Sequence, residues 1–270
     1  MSTPAETTPT DTALITGASS GIGAALAACF AASGHRLVLV ARRADLLDAL
    51  ADKLRSAHGV KVWVLAADLA RPGAAAALAS ALRRKQVAVD VLVNCAGVLA
   101  QGDFSAMGGQ RAVTMIDLNV AGLTAMLAAF VPAMQQRGHG RVLNVASIAA
   151  FQPIPTLAVY AATKAYVLSL TESLAEEWAG SGVTVTALCP GITATPMLTG
   201  AAAANSALSQ LPALLVGDVA AVAAEGHAAC LRGDVIVVPG WVNRAATAGG
   251  RVLPKWLLRR ISGMVTRRLK

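Results

Sequence analysis

The chain has 270 residues, 55% of them hydrophobic and only 4% aromatic. That length suits one large α/β domain or two small ones, and the scarcity of aromatic rings argues against a base-stacking nucleic-acid platform. The net charge of +8 is local: Arg244, Arg251, Lys255, Arg259, Arg260, Arg267, Arg268 and Lys270 carry all of it, with no acid among them, so residues 1–240 are electrically balanced.

The four cysteines (Cys29, Cys95, Cys189, Cys230) and four histidines are scattered without metal-ligand spacing, and no metal is expected. The thiols read as small buried hydrophobes of a reducing compartment. Residues 1–11 are polar and lack the basic start and apolar run of a secretory signal; they read as a disordered leader. The longest uncharged apolar run, Leu118 to Met134, contains Asn119 and Pro132 and falls short of the ~20 apolar residues that a membrane span needs. A soluble cytoplasmic protein is the expectation.

Thr12–Thr16 reads as a short buried strand. It leads into Gly17-Ala18-Ser19-Ser20-Gly21-Ile22-Gly23 and then an alanine-rich helix over 24–33. Strand, glycine-rich turn and helix start form a cradle for a pyrophosphate: glycines let the backbone approach closely, and the N–H groups and dipole of the helix hold the charge. Further strands are expected at 35–41, 61–66, 89–94, 141–146, 183–188 and 235–238. Helices are expected at 46–57, 73–84, 107–136 with a break near Asp117–Asn119, 158–179, and 218–231 with Asp218 as cap. Continuously apolar strands alternating with helices predict an α/β, doubly wound parallel sheet of about seven strands, covered on both faces. No linker or repeat interrupts it, so residues 12–240 read as one domain, with 241–270 as a tail.

Within 158–179, Tyr160 and Lys164 stand four residues apart and share one helix face. A free phenol has a pKa of about 10. A neighbouring ammonium stabilises the phenolate and is expected to pull that value toward the working range of a general acid/base.

Taken together, Thr16-Gly17-x-x-x-Gly21-x-Gly23, Asp68, Asn94-Cys95-Ala96-Gly97, Asn119, Ser147, Tyr160-x-x-x-Lys164 and Pro190-Gly191-x-x-x-Thr195 resemble the short-chain dehydrogenase/reductase family over almost the whole chain. One departure is Cys95, where asparagine is usual. The resemblance implies a Rossmann-type fold and a carbonyl/alcohol oxidoreductase. Ser147 would hydrogen-bond the substrate oxygen and Tyr160 would donate its proton. Lys164 would bind the nicotinamide ribose, and Asn119 would hold a water linking Lys164 to solvent. Gly17, Ser19, Ser20, Gly21, Ile22, Gly23, Asn94, Ala96 and Gly97 would line the nucleotide, Asp68 and Leu69 the adenine, and Pro190, Gly191, Ile192 and Thr195 the carboxamide.

At the end of the second strand, the acid that an NAD ribose requires is replaced by Ala41, followed by Arg42 and Arg43. That charge pattern favours NADP(H) over NAD(H), with Arg42 the phosphate partner and Arg43 a solvated helix-start residue or an assistant. The segment 148–157 (Phe151, Pro153, Ile154, Pro155), with Met197 and Leu198, offers no cation to clamp a carboxylate. An apolar ketone, aldehyde or alcohol is therefore expected, under a lid over 193–216. The resemblance also implies a homodimer or homotetramer through Val120–Met134 and the far face of 158–179. The amphipathic basic segment 254–270 is expected to dock on protein, with peripheral contact to an anionic membrane as the alternative, and no nucleic acid is expected. Two alternative functions are a non-catalytic dinucleotide-binding sensor or scaffold, and an NAD-linked secondary-alcohol dehydrogenase.

Overall fold

A computed structural model describes residues 11–199, 216–252 and 260. The expectations for the leader, for the middle of the lid and for most of 254–270 lie outside these residues. Seven strands form one parallel sheet: β1 (Thr12–Thr16), β2 (Arg36–Ala41), β3 (Val62–Ala66), β4 (Val91–Asn94), β5 (Gly140–Val145), β6 (Val183–Leu188) and β7 (Ile236–Val237). Their order is β3-β2-β1-β4-β5-β6-β7. The chain therefore winds one way from β1 to β3 and the other way from β4 to β7, which opens a crevice at the carboxyl ends of β1 and β4.

Alternate side chains of each strand feed opposite cores. On one face Leu14, Val38, Val40, Leu92 and Val142 pack under α3 (Ala74–Arg84), α6 (Leu123–Arg137) and α7 (Ala158–Glu177). On the other, Ala13, Ile15, Leu37, Leu39, Val91 and Val93 pack under α1 (Gly21–Ala32), α2 (Ala44–His58) and α8 (Val219–Arg232). This two-sided burial is why the strands read as unbroken apolar runs. Asp218 caps α8 as expected, its carboxylate accepting from Ala221 N at 2.8 Å.

Three expectations are revised. Helix α1 starts at Gly21, within the glycine motif, because the turn is complete at Ser20. The break expected near Asp117–Asn119 is a π-helical turn over Asp117–Gly122, which joins α5 (Gly109–Ile116), preceded by the short α4 (Phe104–Met107), to α6 without interruption. The resulting helix, Gly109–Arg137, has 29 residues, and an 18-residue stretch of it has a mean hydropathy of 1.6, so by length and composition alone it is able to cross a membrane. Its apolarity has a different cause: Met115, Met126, Phe130 and Met134 are buried in the protein. Finally, the glycine-containing stretch after β7 is helical as α9 (Trp241–Val252). Its start is fixed by Asn243 Nδ2 donating to Pro239 O (2.8 Å) and Arg244 N to Gly240 O (3.1 Å), and the alanines that follow favour helix.

At the amino ends of the strands, α1 and α8 meet over two histidines. Ser33 Oγ lies 3.1 Å from His35 Nδ1 and 3.0 Å from His227 Nε2, and both rings stand edge-on to Phe30. Burial pushes both histidines below their ordinary value. At His35, Asp11 and Asp90 oppose this shift and Arg141 adds to it; at His227, the neighbouring His35 adds to it. The unfolded chain therefore binds protons more readily than the folded one below the ordinary histidine range, and stability is lost as pH falls through that range. The melting temperature should drop between pH 7 and pH 5, and His227→Gln should flatten the drop. A wild-type melting temperature that is constant over this interval would contradict the assignment.

Candidate active site

The crevice between β1 and β4 is built by one hydroxyl and two glycines. Thr16 Oγ1, at the end of β1, accepts from Cys95 N (2.9 Å) and Ala96 N (3.0 Å) and donates to Val93 O (3.1 Å). It binds the turn after β4 to the glycine loop. Thr16 was quoted in the motif but given no role there; its burial at the carboxyl end of a central strand is the signal that marks it. Gly17 has φ +70°, and a Cβ there would lie 2.9 Å from the Ala96 backbone. A Cβ on Gly23 would overlap the Gly17 carbonyl. Both glycines therefore permit backbone approaches that any side chain would block.

Helix α1 begins at this turn. Its cap residue Ser20 makes no side-chain cap bond, and its first turn carries no acid. Arg43 donates to Ser19 Oγ (3.0 Å) and Ser20 Oγ (3.3 Å). Arg43 is exposed at the start of α2, as expected, and is also attached to the loop. Arg42 is exposed at the end of β2. A tight glycine turn, an uncapped helix start and a flanking guanidinium fit the pyrophosphate half of a dinucleotide.

The polar cluster lies at the ends of β4 and β5. Lys164, on α7, is 7% exposed and donates from Nζ to Val145 O at 2.8 Å. Burial lowers its pKa to about 8, with Cys95 and Cys189 raising it in part. In turn, burial pushes the Cys95 thiol up to about 12. Asn119 is 1% exposed; its amide exchanges two 2.9 Å bonds with the Val98 backbone and donates to Thr163 Oγ1 at 3.2 Å. These bonds, and the π-turn that presents Asn119, hold it beside Gly97, where an added Cβ would lie 3.3 Å from Asn119 Oδ1 and 3.6 Å from Lys164 Nζ.

Tyr160 joins this cluster from α7, with the Lys164 ammonium 5.8 Å from its ring centre and Ser147 near enough to act on its titration. Ser147 also caps the short 3-10 turn Ile148–Phe151, accepting from Ala149 N at 3.1 Å. The expected lowering of the tyrosine pKa is absent: burial raises it, and Ser147 only partly offsets this. Lys164 Nζ reaches for the Val145 carbonyl and stands 5.8 Å from the centre of the Tyr160 ring, so burial of the phenol dominates.

Other predicted residues fall into place around this centre. Pro190 O accepts from Ile148 N at 2.9 Å and from Ser147 Oγ at 3.5 Å. Thr195 crosses the crevice, its Cγ2 lying 3.2 Å from where a Cβ on Gly21 would be. Ile192 O accepts from Gly217 N at 2.8 Å. Asn94 Nδ2 donates to Asn144 Oδ1 (2.9 Å), and Asn144 Nδ2 donates to Thr171 Oγ1 (3.0 Å), so the two amides tie β4 to β5 and α7. Leu69 is 8% exposed in the core, and its carbonyl presses on Gly122 of the π-turn. Asp68 sits apart at the end of β3, accepting from Ala70 N at 3.2 Å with Arg71 3.7 Å away.

A sequence model of the short chain dehydrogenases matches residues 11–206. The chain belongs to the short-chain dehydrogenase family. Among curated relatives, it is 38% identical over 187 residues to the oxidoreductase UcpA of Escherichia coli, covering 69% of this chain and 70% of that one. It is 41% identical over 189 residues to the glycine betaine reductase ATRR of Emericella nidulans, and this match spans only 15% of that much longer protein. Among solved structures it resembles a short-chain dehydrogenase from Sphingobium yanoikuyae in complex with NADPH, with a TM-score of 0.80, 37% identity and coverage of 89% and 93% of the two chains. It also resembles the bulky-bulky ketone specific alcohol dehydrogenase from Comamonas testosteroni, with a TM-score of 0.76, 31% identity and coverage of 92% and 96%. Like its relatives, the protein is an oxidoreductase of this family.

If the glycine turn cradles the dinucleotide, Gly23→Ala should weaken nucleotide binding about tenfold or more, the size expected for one methyl group forced into a packed site. Fluorescence titration, with circular dichroism as the folding control, measures this. Unchanged affinity in a folded variant would remove the loop from the site.

Proposed function

We propose that this short-chain dehydrogenase reduces a bulky apolar ketone or aldehyde with NADPH, and oxidises the corresponding alcohol with NADP. The observation that carries the reading is the buried Lys164 ammonium, its Nζ bonded to Val145 O at 2.8 Å and 5.8 Å from the centre of the Tyr160 ring, with Ser147 just past the end of the same strand.

NADPH supplies the hydride to the carbonyl carbon when it is bound. Ser147, whose hydroxyl stands just past the end of β5, orients the carbonyl oxygen against the phenol. Tyr160 transfers its proton to that oxygen as negative charge develops there. Lys164 would hold the ribose hydroxyls of the bound nucleotide, and its positive charge stabilises the phenolate that remains until a proton from solvent restores the phenol. Asn119 keeps Lys164 and the Val98 backbone in register. Burial holds Tyr160 protonated at neutral pH, which suits reduction; alcohol oxidation needs the phenolate and should rise with pH.

NADP(H) is supported by Ala41 in place of an acid, by the two arginines after it, and by the NADPH complex of the Sphingobium relative. The apolar substrate is supported by partly buried Phe151, Ile154 and Pro155 and exposed Met197, and by the bulky-ketone specificity named for the Comamonas relative. Gly102 N bonds Thr156 O at 2.9 Å and holds Thr156 at φ +66°, a strained value for a β-branched residue. That bond fixes the wall carrying Ile154 and Pro155. The large apolar side chains expected to pair subunits over Val120–Met134 are taken up by the core, Met126, Phe130 and Met134 being buried; exposed Tyr166 on α7, with exposed Val113 and Ile116 on the neighbouring α5, supports self-association into a homodimer or homotetramer.

The test is turnover of NADPH and NADH with bulky aryl and aliphatic ketones and with small keto acids. NADPH with bulky ketones should be fastest. Tyr160→Phe should lower kcat at least about 100-fold with NADPH affinity retained. Full turnover by the variant would contradict the proton-donor role, and activity confined to small keto acids would contradict the substrate class.

A further inference from the structure

The loop after β6 carries Pro190 and Gly191, and the structure packs a residue of α9 directly on it. A Cβ on Gly191 would lie 2.5 Å from Asn243 Nδ2 and 2.6 Å from Asn243 Oδ1. The Asn243 amide therefore rests on the bare backbone of Gly191. It has little freedom to leave, since Nδ2 donates to Pro239 O at 2.8 Å.

The rest of the α9 start is fixed just as firmly. Arg244 donates from Nε to Val238 O (2.9 Å) and from Nη2 to Glu225 of α8 (2.7 Å). Thr247 is 8% exposed and donates back to Asn243 O at 2.9 Å. One residue before Gly191, the Pro190 carbonyl takes the Ile148 N–H and faces the Ser147 hydroxyl. A continuous path of contact thus runs from β7 and α8, through Asn243, to the backbone that borders the catalytic serine.

We propose that Asn243 is a positioning residue: by pressing on Gly191 it sets where the Pro190–Gly191 backbone stands relative to the nicotinamide end of the cofactor and to Ser147. This rests on the cofactor reading given above. It assigns α9, which the motifs of the catalytic domain do not include, a part in forming the site. It also gives Gly191 a second reason to lack a side chain: the space a Cβ needs is filled by the Asn243 amide.

A mutant cycle tests it. Wild type, Gly191→Ala, Asn243→Ala and the double variant are titrated with NADPH and with NADH, and each is melted without nucleotide. Gly191→Ala should weaken NADPH binding about tenfold through overpacking. Asn243→Ala should weaken it about fivefold through the lost hydrogen bond and contact. The double variant should return to the level of Asn243→Ala, because the alanine at 243 vacates the space. Asn243→Leu, which keeps bulk but loses the Pro239 bond, should also weaken NADPH about fivefold and replaces the cycle should Gly191→Ala not fold. Additive losses in the double variant would overturn the proposal. So would equal NADPH affinities in all variants alongside altered melting temperatures, which would make the contact structural only. A wild type that binds neither nucleotide would overturn the cofactor reading itself and the positioning role with it, an outcome distinct from tight binding that ignores residue 243.

Discussion

An ammonium group held out of water at the end of β5 organises the candidate site. The buried Lys164 ammonium is held by a hydrogen bond from Nζ to the Val145 carbonyl at 2.8 Å. The cost of burying that cation appears as a pKa depressed to about 8. A lysine this buried is retained where its charge acts on something else. The groups around it match that reading: Gly97 lies beside its amine, where an added Cβ would be 3.6 Å from Nζ, and the phenol of Tyr160 stands on its own helix one turn away.

The sheet determines which residues meet there. Strand order reverses between β1 and β4, so the loops after β1, β4, β5 and β6 converge on one crevice while their helices diverge to opposite faces. Thr16 joins the first two loops through its hydroxyl, and Pro190 joins the last two through its carbonyl. Each joint is a hydrogen bond between backbone and a neighbouring element, so the geometry is inherited from the core and does not depend on long flexible side chains.

Much of this was legible in the sequence because it follows from local chemistry. Apolar runs of four to six residues between helices could only be strands buried on both sides, and the i, i+4 spacing put Tyr160 and Lys164 on one face. What escaped depends on three-dimensional neighbours. Arg43 read as a solvated helix start, yet it bonds Ser19 and Ser20, which lie far away in the chain but adjacent across β1 and β2. The tyrosine pKa was expected to fall because the sequence shows a nearby cation; it rises because the sequence does not show the desolvation of the half-buried phenol, which outweighs that cation. Helix α9 lay within what the sequence offered only as a tail after residue 240, whereas Asn243 and Arg244 anchor its first turn beside β7.

These features share one dependence, the burial of Lys164. Side-chain NMR with isotopically labelled lysine, using Lys164→Gln to assign the resonance, measures the pKa of this group directly. The account predicts titration near 8 in the folded protein, well below the ordinary value of 10.5. A Lys164 resonance titrating at that ordinary value would show a solvated amine and contradict the arrangement described for the site.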